Sequence, residues 1–125
     1  MTDIGSAIIP EFEVAAMRAC DLLASLHEQT RLMDKTWMDR RRAHDLNDAS
    51  SMALWASAES ANFVASERRG SDLTIDLETP PLTLATTAYE LMSEHGAGLH
   101  ELEVLRLLDW VGTICRVLRR HEFTR

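Results

Sequence analysis

Between Pro10 and Gly70 the sequence contains neither glycine nor proline. That absence removes the two residues that most readily interrupt a helix, and Ala, Leu, Met, Glu and Arg fill the stretch instead. Cysteine is almost as scarce. Cys20 and Cys115 are the only two, each among apolar neighbours in a helical pattern, where a free thiol packs as a small hydrophobe. A disulfide framework is thereby excluded, and reduced, buried thiols are expected. No run approaches the roughly 18 uncharged apolar residues of a membrane span. The opening residues Met1 to Ser6 lack a basic segment, and Pro10 stops the apolar run Ala7 to Ile9. Neither a membrane partner nor secretion is therefore expected, and a cytoplasmic protein is the simplest reading. Lysine is nearly missing too: Lys35 stands alone against twelve arginines, a bias that fits the GC-rich genome of a bacterium or its phage.

What is present describes one folded domain. The chain has 125 residues, of which 46% are hydrophobic and 26% charged, enough to bury a core without metals or disulfides. Acid is unevenly placed. The segment from Ser71 to Asp109 holds eight carboxylates against Arg106 alone, so it carries the whole net charge of −7. Such a field repels nucleic acid and favours a basic protein surface.

The periodicity is helical. Phe12, Ala16, Ala19, Leu23, Leu26, Thr30, Met33 and Trp37 recur at alternating steps of four and three, a single apolar seam along one helix face. Pro10 suits the first turn. A helix continuing to Arg69 would measure about 90 Å, too long for one domain, so a break is required. Asp45 to Asp48 is the expected place, since Asn and Asp are good helix caps. Helices are thus predicted over 10–45, 49–69, 82–95 and 99–121, with a linker over 70–81. The second should bury Leu54, Ala58, Ala61 and Ala65, flanked by Met52, Trp55 and Phe63, and end at Arg68-Arg69-Gly70. In the linker, Leu73 to Leu77 alternates like a strand but has no second strand to pair with, so it reads as an extended crossover. Thr79-Pro80-Pro81 opens the third helix, which buries Leu84, Ala88 and Leu91, and His95-Gly96-Ala97-Gly98 closes it. The fourth is apolar nearly all round from Val104 to Leu118 and should occupy the centre of the core. The expectation is all-α: a four-helix bundle with a long first helix and an extended crossover before helix 3. The length of that first seam suggests pairing of two copies, a homodimer.

Candidate chemistry centres on His44. The run Ala43-His44-Asp45-Leu46-Asn47-Asp48-Ala49 resembles the phosphoacceptor motif of two-component signalling, in histidine kinase dimerisation domains and histidine-phosphotransfer domains. The resemblance covers these residues only. It implies that His44 accepts a phosphoryl group, with Asp45 as its acidic neighbour, from a partner protein, since the chain has no nucleotide-binding loop. Asn47-Asp48 stand where phosphotransfer domains usually carry Lys-Gly. A second motif, Arg116 followed after four residues by His121, resembles the catalytic spacing of HEPN ribonucleases, although Val117 replaces their usual polar residue. Arg and His in a last helical turn also complement the helix dipole.

No histidine follows a Glu by three residues, so the di-iron bundle pattern is missing and no metal or other cofactor is expected. No nucleophile elbow or phosphate loop occurs. The run Arg40-Arg41-Arg42 is expected to be neutralised by Asp34, Asp39 and Asp45 along the same helix. The reading that remains is a small acidic protein–protein interaction module, a regulator or inhibitor whose partner could present a basic surface and which does not itself bind nucleic acid. Extending the seam past Trp37 brings in Arg40, His44 and Asn47. Trp37, Arg40, His44 and Asn47 are therefore the candidate partner-binding residues.

Overall fold

The first helix stops where two aspartates take over the work of backbone hydrogen bonds. In the computed structural model, which describes residues 10–63, 74–96 and 102–121, α1 spans Pro10–Leu32 and α2 spans Arg40–Ala61. Between them Asp34 Oδ1 accepts hydrogen bonds from the Thr36 amide at 3.0 Å and the Thr36 hydroxyl at 2.7 Å. Such a local turn competes with helix continuation. Asp39 then caps α2: its backbone is extended and its carboxylate accepts from the Arg42 amide at 2.8 Å, the usual satisfaction of an orphan helix N–H. The break therefore lies at 33–39, not at the expected Asp45 to Asp48, and the first helix is correspondingly shorter than 10–45. Trp37 continues the apolar period but sits in the turn with 66% of its surface exposed.

The remaining helices are α3, Pro81–Gly96, and α4, Leu102–Arg120. The second helix ends at Ala61 with Asn62 as its cap; the expected end at Arg68 to Gly70, like Ala65 and the start of the fourth helix at Leu99, lies outside the described residues.

Helix α1 packs on α2 and α3, and α4 packs on the same two, while neither diagonal pair touches among the described residues. Hydrogen bonds fix the directions. Cys20 of α1 meets Ser57 of α2, whereas His27, further along α1, meets Ser50, earlier in α2, so these helices are antiparallel. Asp45 near the start of α2 meets His121 just beyond the end of α4, and Trp55 meets Trp110. Hence α2 and α4 are antiparallel too. The result is a square four-helix bundle whose chain must return from the far end of α2 to begin α3. Residues 74–80 of that crossover have no regular secondary structure and are tied to α1. The Gln29 amide donates to the carbonyls of Asp76 at 3.0 Å and Thr79 at 2.7 Å, and Ser25 Oγ accepts from the Asp76 amide at 2.8 Å.

The core takes the whole α1 seam, Phe12, Ala16, Ala19, Leu23, Leu26 and Thr30, to full burial. Pairing of two copies along that seam, which the sequence suggested, is therefore blocked: α2 and α3 already cover it. The inner face of α2 is Leu46, Ala49, Ser50, Ala53, Ala56, Ser57 and Ser60, not the expected Leu54 and Ala58, which are exposed. Small side chains let α1 and α2 approach closely, and the serine hydroxyls are satisfied on backbone carbonyls. Ser57 Oγ donates to Cys20 O at 2.9 Å and Ser60 Oγ to Ala56 O at 2.8 Å, which removes the penalty of burying them. Helix α3 buries Leu84, Ala85, Ala88 and Met92. Helix α4 buries one stripe, Val104, Leu107, Val111, Ile114, Cys115 and Leu118, and leaves Leu102 and Leu105 exposed. It occupies a corner of the square, not the centre expected from its apolar composition. Both cysteines are free thiols, Cys115 buried and Cys20 half-buried. No described helix is long and apolar enough to cross a membrane.

Candidate functional site

At the end of the bundle where the α1–α2 turn lies, the start of α2 and the end of α4 come together. Arg40, His44 and Asn47, spaced by four and three residues, share one face of α2, and all three are exposed. Trp37 stands just before them in the turn, and the Arg42 guanidinium lies 5.6 Å from the centroid of its ring, a cation–π contact. The structure thus places the four sequence-selected residues at one end of the molecule, accessible to a partner.

The aspartates expected to neutralise the arginine run are engaged elsewhere. Asp34 bonds Thr36, Asp39 caps the helix, and Asp45 turns away to His121, whose Nε2 donates to Asp45 Oδ2 at 2.7 Å. Arg120 reaches the same oxygen at 3.4 Å. The His121 hydrogen bond, followed by the fields of His121, Arg120 and Arg41, holds the Asp45 carboxyl below its ordinary range. Arg40 and Arg41 make neither ion pair nor hydrogen bond among the described residues. They also occupy the first turn of a helix with no acidic residue there, the end at which cations are least favoured. This end therefore presents two arginines without a direct ion-pair contact, beside an indole and among the carboxylates of Asp34, Asp39, Asp45 and Asp48.

His44 is exposed over 71% of its side chain and lies 3.3 Å from Asp48, one turn on. Asp45 is not its companion, as the phosphoacceptor resemblance implies, because that carboxylate is held by His121. The Arg116 and His121 pair also separates. His121 faces α2, whereas Arg116 bonds Thr113 Oγ1 at 2.8 Å and lines a groove on the α3 side. Two residues singled out in different motifs, Asp45 and His121, are instead partners of each other.

Sequence reasoning missed the second half of this surface. Further along the outer face of α2, Trp55 is 64% exposed and its ring centroid lies 6.2 Å from that of half-buried Trp110 in α4. None of the three tryptophans belongs to the buried core. The signal was present in the Ala and Ser residues at 49, 53, 56 and 60, which mark the inward stripe and leave 55 pointing outward. The carboxylates from Ser71 onward serve separate local ends: Asp76 accepts from the amides of Glu78 and Thr79 within the crossover, while Glu90 stands in the α3/α4 groove. No three described His, Cys, Asp or Glu side chains converge on a point that could hold a metal ion.

Comparison of the chain with protein-family models, curated proteins and solved structures finds no match.

Proposed function

We propose that the chain is a protein–protein interaction module, a small regulator that acts by occupying a partner through the outer face of α2. The observation that carries this reading is the position of the tryptophans. Trp37 and Trp55 expose 66% and 64% of their surfaces and Trp110 is half-buried beside Trp55, while the buried core consists of Ala, Leu, Val, Ile, Met, Cys and a single Phe. Tryptophan is usually largely buried in a free domain and is the residue most enriched in the energetic centres of interfaces. Arg40, Arg41, His44 and Asn47 supply a polar border at one end, as interface rims do. An inhibitor that instead uses the acidic segment against a basic partner draws less support, because the described carboxylates of that segment are spread over the crossover, α3 and α4.

The test is affinity capture from the native host with wild-type chain, Trp37→Ala, Trp55→Ala and, as a control on α1, Val14→Ala. The expected result is loss of the captured partner with both tryptophan variants and retention with Val14→Ala. Unchanged capture by Trp37→Ala and Trp55→Ala would sink the reading. Binding through the tryptophan face should persist as salt is raised, whereas an acidic contact weakens within the range where the Debye length falls from about 10 Å to about 3 Å.

A second reading, phosphoryl relay through His44, is favoured by one observation, the exposure of its imidazole, which an attacking nucleophile requires. Incubation with phosphorylated receiver domains tests it. Labelling that disappears in His44→Gln supports the relay, and no labelling from several receivers removes it.

A further inference from the structure

On the other side of α4 from the tryptophan pair, a groove of ≈290 Å³ runs between α3 and α4, at the small end of the range of ligand pockets. Its floor is Gly112 and Cys115, one wall is Tyr89, and Arg116, Arg119 and Glu90 stand around it.

Gly112 lies in the middle of α4, where glycine weakens a helix relative to alanine. Close packing does not demand it there. A methyl group at that position would come no nearer than 3.4 Å to Tyr89 Cε2 and 3.7 Å to Arg116 Nη1, which is ordinary van der Waals contact. Alanine would therefore be accommodated by the fold, and its methyl would occupy the groove floor. What glycine provides at this point is the volume of one methyl group in the groove floor, bordered at contact distance by Tyr89 and Arg116.

The groove also has chemical direction. Arg116 is anchored through Nη2 to Thr113 Oγ1 at 2.8 Å, which leaves Nη1 over the Gly112 position. Arg119, three residues on, falls on the same side of the helix, so two guanidinium groups serve one opening. Glu90 offsets one of them, and the remaining imbalance of a single positive charge suits a monoanion better than a multiply charged phosphate. Cys115 is buried, and its burial pushes the thiol pKa up against the opposing pull of Arg119 and Arg116. It is an apolar part of the floor and not a nucleophile.

We propose that the α3/α4 groove over Gly112 binds a small monocarboxylate with an apolar body, its carboxylate on Arg116 and Arg119 and its body on Gly112 against the Tyr89 ring. The site is independent of the interaction surface on α2, since Trp110 and Gly112 face different neighbours of α4.

Benzoate serves as the probe, with benzamide as its neutral isostere and inorganic phosphate as a compact anion, in titrations of isotope-labelled full chain followed by NMR. Benzoate should shift the Gly112 amide and the Tyr89 ring signals with a dissociation constant on the order of millimolar. Benzamide and phosphate should each bind about tenfold more weakly. Gly112→Ala, which the geometry allows to fold, should weaken benzoate at least about fivefold by filling the floor. Arg116→Met should reduce benzoate to the level of benzamide while leaving benzamide unchanged. Absence of benzoate-dependent shifts up to about 10 mM, equal binding of phosphate, or undiminished binding by folded Gly112→Ala would each overturn the proposal.

Discussion

Exchanging the roles of neighbouring residues in α2 tests the inward face directly, because hydropathy and structure disagree there. Leu54 is the larger and more apolar side chain, yet 47% of it is exposed, while Ala53 beside it is fully buried against α1. Fully burying a leucine contributes about 1.5–3 kcal/mol. Leu54→Ala should therefore cost no more than about 1 kcal/mol, reduced further by the better helix propensity of alanine. No closed cavity forms, because the side chain already borders solvent. Leu46→Ala removes a fully buried side chain of the same type and should cost about 2–5 kcal/mol, since a cavity is left as well. Ala53→Leu adds volume to an interface of Ala and Ser and should cost about 1–3 kcal/mol or more through overpacking. Urea unfolding followed by far-ultraviolet circular dichroism resolves these differences. With a slope of about 2 kcal/mol/M, Leu46→Ala should lower the midpoint by 1 M or more, roughly, and Leu54→Ala by less than about 0.5 M. A greater loss for Leu54→Ala than for Leu46→Ala, or a stabilised Ala53→Leu, would show that α2 faces the core the other way round.

Three other perturbations read out separate parts of the fold. Asp45, held below its ordinary pKa by His121, contributes stability that is present above the unfolded carboxylate value and is lost as pH falls through its lower folded value. Asp45→Asn should thus be less stable than wild type at neutral pH, and the gap in melting temperature should close below about pH 4; a constant gap down to pH 2 contradicts the linkage. Gly112→Ala should raise stability by about 1 kcal/mol and the melting temperature by about 4 °C in a thermal scan, whereas a lower melting temperature would mean that Tyr89 cannot tolerate the methyl. Gln29→Ala breaks two hydrogen bonds to the crossover and should cost about 1–2 kcal/mol. Amide hydrogen exchange at Asp76 should accelerate at the same time, and an unchanged rate would mean that Gln29 does not hold the crossover.

Much of the architecture follows from local rules that act within a single helix. Pro10 opens α1, Thr79-Pro80-Pro81 opens α3, and the bounds of α3 differ by one residue at each end from those read off the sequence. The position of the first break was not legible from apolar spacing, because Met33 and Trp37 keep the period through the turn. Two short side chains, Asp34 and Asp39, decide it by hydrogen-bonding backbone that a helix would otherwise use. The face of α2 was misread because buried serines look polar until their carbonyl partners across and within the helices are known. Leu105, Leu108 and Trp110, which lie outside the buried stripe, made α4 look central, yet a helix at the corner of a square has only two neighbours to cover it. The shared face of Arg40, His44 and Asn47 follows from their spacing, whereas their exposure is set by Leu46, Ala49, Ser50 and Ala53, which turn a different face of α2 into the core. The pairs Asp45–His121 and Trp55–Trp110 join residues far apart in sequence, and they became visible only once α2 and α4 were known to run antiparallel.

The square arrangement also orders the work of folding. Helices α1 and α2 are consecutive and adjacent, and so are α3 and α4, so the chain consists of two helical hairpins whose internal contacts are local and quickly formed. Everything that joins the hairpins is distant in sequence: α1 against α3, α2 against α4, and the Asp45–His121 bond across 76 positions. The entropy of ordering the crossover is therefore met when the hairpins dock, not when either closes. The hydrogen bonds of Ser25 and Gln29 to the crossover are the local contacts that help offset that step, which gives two side chains at one end of α1 a part in assembling all four helices.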